Sequence, residues 1–128
     1  MACPLFLPDS PLHGPASEAA PLGDVYDGQC AADIAAPITA DILRQCCNRG
    51  YARDRCQEAA KSDVDAFRFL VKRDRGASLD IAWSSERNHH PVAVGSLTAR
   101  AGITDEGGGP LERQAHAYAA AYLRQTGN

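Results

Sequence analysis

The sequence predicts an α+β fold in a single domain, 1–128, of two unequal parts: an irregular Cys-rich N-terminal segment and helical hairpin over 1–61, then a three-stranded antiparallel meander and a C-terminal helix over 62–128. Three observations predict it. All five cysteines (Cys3, Cys30, Cys46, Cys47 and Cys56) fall in the first 56 residues, and the following 72 hold none. Beyond Ser62 the apolar residues recur at every second position, the period of a half-buried strand. From Leu111 they return to helical spacing.

Residues 1 to 38 carry six of the eight prolines and the turn-forming stretches His13-Gly14-Pro15, Leu22-Gly23-Asp24 and Asp27-Gly28, so no helical or strand period is expected there. A segment this long without regular structure needs something to hold it, and a cofactor tied to Cys3 and Cys30 does that. The competing reading is a loosely ordered arm with two incidental thiols, and loop length alone counts against it. Thr39 caps a helix that starts with Asp41 in its first turn, continues through Ile42, Leu43, Cys46 and Cys47, and closes at Gly50. Tyr51 to about Lys61 predicts a second, shorter helix containing Cys56, completing a hairpin on which facing thiols converge.

In the second part Phe67, Phe69 and Val71 alternate with Arg68 and Leu70 before a turn at Asp74-Arg75-Gly76. Leu79, Ile81 and Trp83 form the next run, and Val92 to Leu97, after Glu86 to Pro91, the third. Residues 102–110, with Gly107-Gly108-Gly109, predict a flexible link to a helix from Leu111 to about Gln125. Its stripe of Leu111, Ala115, Tyr118, Ala119, Tyr122 and Leu123 suits a helix laid on one face of a sheet.

A formal net charge of −3 supplies no global field toward nucleic acid or anionic lipid, so neither is an expected partner. Nothing resembles a secretory signal, because Leu5-Phe6-Leu7 is bracketed by Pro4 and Pro8, and no apolar run approaches the roughly 20 residues that span a bilayer. The expected address is the cytoplasm, where thiols stay reduced; the odd number of cysteines also argues against a pure disulfide framework.

The cysteines are separated by 26, 15 and eight residues (Cys3 to Cys30, Cys30 to Cys46, Cys47 to Cys56), and no C-x-x-C occurs. Structural zinc sites take ligands in close pairs that pre-position half a tetrahedron. Iron–sulfur clusters collect single thiolates from distant points, since four iron corners are spread in space. Dispersed thiols therefore predict one [4Fe-4S] cluster on Cys3, Cys30, Cys47 and Cys56, serving electron transfer or redox sensing with a protein redox partner. Adjacent side chains on an α-helix diverge by about 100°, which leaves one of Cys46 and Cys47 over. Cys47, nearer the turn and Cys56, is the expected ligand; Cys46 is the alternative, or a small buried hydrophobe behind Ile42. Arg44, Arg49, Arg53 and Arg55 lie around these thiols and are expected to offset thiolate charge, against the reading that they are solvated surface residues.

The runner-up is a structural zinc site in a protein–protein interaction module, with four thiolates or with three and one imidazole, His13 being the nitrogen placed between Cys3 and Cys30. A thiol enzyme using Cys46-Cys47 lacks a C-x-x-C or a base-paired cysteine. His89-His90 reads as a polar turn before Pro91. Asp24 with Asp27, Asp63 with Asp65, and Asp105 with Glu106 fit no acid–base pattern, and the glycine run matches no phosphate-binding motif.

Overall fold

A computed structural model describes residues 2–11, 22, 25–100 and 109–126. Within them lie two antiparallel sheets and a long C-terminal helix. Strands β1 (Phe6–Pro11) and β2 (Tyr26–Cys30) pair with each other, and β3 (Ala66–Asp74), β4 (Ser78–Arg87) and β5 (His90–Arg100) form a meander in the order β3-β4-β5. The mixed α+β class, the meander and the last helix follow the sequence expectation.

The front of the chain departs from it. Residues expected to be irregular form β1 and β2, with Phe6 opposite Cys30 and Pro11 opposite Tyr26, and a register shift between Pro8 and Ser10. Pro8 and Pro11 argue against a strand by sequence. On a sheet of only two strands, each strand has an edge where a missing proline N–H costs nothing. The helical hairpin is not formed either. Helix α1 (Ala40–Ile42) begins at Thr39, whose hydroxyl accepts the Ile42 N–H at 3.3 Å, but it widens over Leu43–Cys47 into a π-type turn closed by the Asn48 N–H to the Leu43 carbonyl at 2.9 Å. Gly50 (φ +74) then reverses the chain; a Cβ there would sit 2.8 Å from that of Ala66.

In place of the second helix, Tyr51 adopts φ +53, Cys56 is extended (φ −137, ψ 118), and only Gln57–Lys61 forms a short 3₁₀ turn. Tertiary tethers override helix propensity here. The Tyr51 N–H donates to the Asp65 carbonyl (2.9 Å), its hydroxyl donates to Glu86 (2.8 Å), and Arg53 is drawn to the Asp65 carboxylate and the Ser62 carbonyl.

In the meander, Asn88 and His89 both have positive φ (52 and 65), the requirement of a two-residue hairpin turn whose twist matches its strands. Phe69 pairs with Trp83 and Trp83 with Gly95, while Val71, Ile81 and Leu97 lie abreast, so the period of two puts these apolar side chains on one face. Helix α2 (Pro110–Thr126) covers that face and also packs on β1. Leu79, Ile81, Ala99 and Ala119 are buried together, with Tyr118, Tyr122 and Leu123 packed against them. A second buried cluster, centred on Phe6, Leu22, Tyr26, Leu43, Cys46 and Cys47, joins the first through Phe69 and Tyr118, whose rings stack at 5.8 Å. Of the expected stripe Ala115 and Ala119 are buried and Leu111, Tyr118, Tyr122 and Leu123 half-buried; Gln114 and Ala121 are buried besides, because the helix packs on both sheets.

Candidate functional site

Between the β1–β2 sheet and the π-type turn lies a cavity of about 220 Å³ whose walls include all five cysteines. That is more room than a single metal ion needs. Phe6, Ile38, Ile42, Ala52 and Ala59 make most of the remaining wall apolar, and Asp33 and Glu58 bring carboxylates to it.

Each thiol is set by a different backbone device. Ala2 forms a bridge with the edge of β3 (Ala2 N–H to Phe67 O 3.1 Å, Phe67 N–H to Ala2 O 3.0 Å), which holds the chain start against the meander. The Cys3 N–H then donates to the Cys47 carbonyl (3.0 Å), and Gln114 of α2 donates to the Cys3 and Phe6 carbonyls at 2.7 and 2.9 Å. Cys30 ends β2 opposite Phe6, so strand register carries it to the same place as Cys3. Cys56 is fixed by its N–H to the Ala52 carbonyl (2.8 Å). Cys46 and Cys47 come from the π-type turn, which Asn48 anchors: its side-chain amide donates to the Leu43 and Tyr26 carbonyls (2.8 and 3.0 Å) and accepts the Tyr26 N–H (2.9 Å). The wider turn narrows the angle between successive side chains relative to an α-helix, and both neighbouring thiols reach the cavity.

Electrostatics follow from this crowding. Burial pushes the Cys3 thiol up to about 11 and the Cys47 thiol up to about 12; charge on Cys3, Cys56, Cys30 or Cys46 each raises Cys47 further. The Leu5 backbone N–H hydrogen-bonds the Cys3 sulfur and opposes the shift there. Cys46 is raised by burial too, with Arg55 pulling it down and Cys56 and Asp54 pushing it up. None of the five is in a disulfide. Both Cys3 and Cys47 are therefore neutral thiols at pH 7 and must shed protons to ligate a metal.

The structure brings Cys3, Cys30, Cys47 and Cys56 to one cavity, with Cys46 among them and not packed away behind Ile42. Among the described residues no three His, Cys, Asp or Glu side chains form a group that could hold a metal ion. The arginine expectation needs revision: Arg53 is committed to Asp65, Arg44 and Arg49 are exposed, and Arg55 is the one whose charge reaches Cys46. His89 stacks on Tyr51 (4.4 Å between ring centres) and its backbone N–H donates to the Tyr51 hydroxyl, while His90 is exposed at the start of β5, so neither lines the cavity. His13, Asp24, Asp105, Glu106, Gly107 and Gly108 lie outside the described residues. Sequence reasoning missed Asn48 and Gln114, the two buried amides that fix the thiol-bearing turns. The signal for Asn48 was its place directly after Cys46-Cys47; Gln114 carried none beyond its adjacency to Ala115 on the helix stripe.

No family model, curated protein or solved structure matches this chain. Among the described residues no helix is long and apolar enough to cross a membrane.

Proposed function

We propose that the thiol-lined cavity holds one [4Fe-4S] cluster through Cys3, Cys30, Cys47 and Cys56, and that the protein transfers electrons to, or senses redox state for, a protein partner. One observation carries the reading: five cysteines from four separate stretches of chain wall a single apolar cavity larger than one ion needs. Thiolate donors select iron–sulfur clusters and zinc over hard cations.

Such a cluster, when bound, supplies reversible one-electron chemistry. The chain supplies the rest. The mostly apolar walls and the Leu5 N–H at the Cys3 sulfur are both levers on the reduction potential of a cluster. Cys30 and Cys56 are partly exposed, which leaves one side of the cavity near the surface, where a partner comes within reach.

Reconstitution with ferrous iron and sulfide under anaerobic conditions tests this. The expected product binds about four irons and four sulfides per chain and has a broad visible absorption that bleaches on reduction. Colourless protein holding one zinc per chain, or protein that takes up no metal, overturns it.

A further inference from the structure

On the face of the meander turned away from α2 an open cleft of about 460 Å³ is lined by Lys72, Arg73, Arg75, Asp80, Ser96 and Thr98. It shares no lining residue with the thiol cavity. We propose that this cleft binds a small phosphomonoester by its phosphate group, held by Lys72, Arg73 and Arg75.

Strand alternation alone would put Lys72 on the open face and Arg73 beside Val71 on the covered one. The register shift in β3 changes that. Val71 lies opposite Ile81, whereas Arg73 lies opposite Asp80 and Asp80 opposite Thr98, so Lys72 is the extra residue of a bulge and both cations emerge on the open face. The turn after β3 brings the third cation. The Arg75 N–H donates to the Ser78 carbonyl (2.9 Å), Gly76 supplies φ +83, and the Asp74 carboxylate accepts the Gly76 N–H (2.8 Å) within the turn itself. Asp80 then orients Arg75, its Oδ2 accepting from Nε and Nη2 at 3.1 and 2.9 Å, while its Oδ1 accepts from the Thr98 hydroxyl at 3.0 Å. Both Asp80 oxygens are thereby engaged. Among the described residues the side chains of Lys72 and Arg73 make no ion pair or hydrogen bond, in contrast to Arg68 on the same strand, which Glu86 holds.

Three cations against one carboxylate give the cleft a local positive excess on a chain whose formal net charge is −3. A phosphomonoester carries about −1.5 to −2 charges near pH 7 and several strong acceptor oxygens, which the two unengaged cations match. Guanidinium groups bind phosphate oxygens two at a time, and Arg75, already oriented, loses little freedom in doing so. The volume lies in the range of small-molecule sites, roughly 300–1,000 Å³, which leaves room for the body of the ester. Phe69 and Trp83 belong to the covered face, so the cleft has no stacking platform for the bases of a nucleic acid. A bulge and a lysine also guard an edge strand against pairing with another chain. That role accounts for Lys72 but not for the row of Arg73, Asp80 and Thr98, which crosses the sheet to β5.

The test is titration of the full chain in phosphate-free buffer at about 0.1 M salt, where charges beyond about 10 Å are screened. Ribose 5-phosphate, orthophosphate and malonate are the probes, followed by calorimetry and by amide proton and nitrogen shifts. Ribose 5-phosphate is expected to saturate one site, with shifts confined to 72–80 and 96–98. Orthophosphate is expected at the same residues more weakly, and malonate more weakly still. Lys72→Gln and Arg73→Gln are each expected to weaken the ester about tenfold or more. Arg87→Gln, which removes the same charge from an exposed position at the other end of β4, is expected to leave its affinity unchanged. Circular dichroism checks the fold of each variant, and the wild-type shift map needs none of them. No saturable binding, shifts elsewhere, or an equal loss in Arg87→Gln overturns the site. Malonate or a single-stranded oligonucleotide bound there more tightly than the ester overturns the ligand class.

Discussion

The cavity region and the meander are built on opposite plans. In the meander, strand register does the work: β3, β4 and β5 pair along most of their length, and α2 covers their apolar face. Around the thiols, short strands, a π-type turn and a 3₁₀ turn are tied by individual hydrogen bonds from Asn48, Gln114 and Ala2, and about 220 Å³ stays open. A void loses the dispersion contacts of its lining. The first region keeps an open space at its centre, whereas the apolar face of the second is covered by α2.

The largest expected effect is a split between the two. Cluster-loaded protein treated with a chelator and oxidant is expected to become cleavable by protease within 25–61 while 66–100 stays resistant; simultaneous cleavage of both regions, followed by mass spectrometry, breaks the comparison. Next comes Ile81→Ala in the meander, fully buried between the sheet and α2, which is expected to cost about 2–5 kcal/mol in urea unfolding while leaving iron uptake per folded chain unchanged. Asn48→Ala is expected to cost less, about 1–3 kcal/mol, by removing the acceptor for the Tyr26 N–H, yet to lower iron uptake because the Cys46–Cys47 turn loses its anchor. Equal iron uptake by the two variants would dissolve the distinction between them.

Two sets of groups act at opposite ends of the pH scale, one where the Tyr51–Arg53 stretch is tied to Asp65 and Glu86, the other in the thiol cavity. Asp65 is held below the usual carboxylate range by the Asn88 N–H and Arg53, and Glu86 by Arg68 and the Tyr51 hydroxyl. Their contribution is fully present above the unfolded values of about 4 and is lost as pH falls through the lower folded values. Buried Cys3 and Cys47 have raised values, so the metal-free fold is expected to lose stability as pH rises from the unfolded thiol value of about 8.5 toward 11–12. Urea midpoints against pH check both limbs. Asp65→Asn is expected to flatten only the acid one, and Cys47→Ser only the alkaline one.

How far each region could be read beforehand follows the same division. Alternation of Phe67, Phe69 and Val71 with polar residues determines which face of β3 is buried, whatever else the chain does, because side chains on a strand point to alternate sides. The stripe through Ala115, Tyr118, Ala119 and Tyr122 likewise specifies a helix with one side covered. Cys56 and its neighbours had good helix formers after them, yet the Tyr51 and Arg53 contacts to Asp65 and Glu86 on the far side of the chain keep that stretch extended. Propensities of a few tenths of a kcal/mol per residue yield to buried polar bonds of about 1 kcal/mol or more.

What the sequence by itself determined is the set of thiols, their confinement to the front half, and the periodic elements of the back half; each is a property of residue type and spacing alone. Only the tertiary structure decided that all five sulfurs share one cavity, because that depends on Phe6 pairing with Cys30, Ala2 joining β3 and Asn48 widening a helical turn. The first two join residues tens of positions apart, and Asn48 is held in its turn by Tyr26, 22 positions away, so no local pattern encodes them.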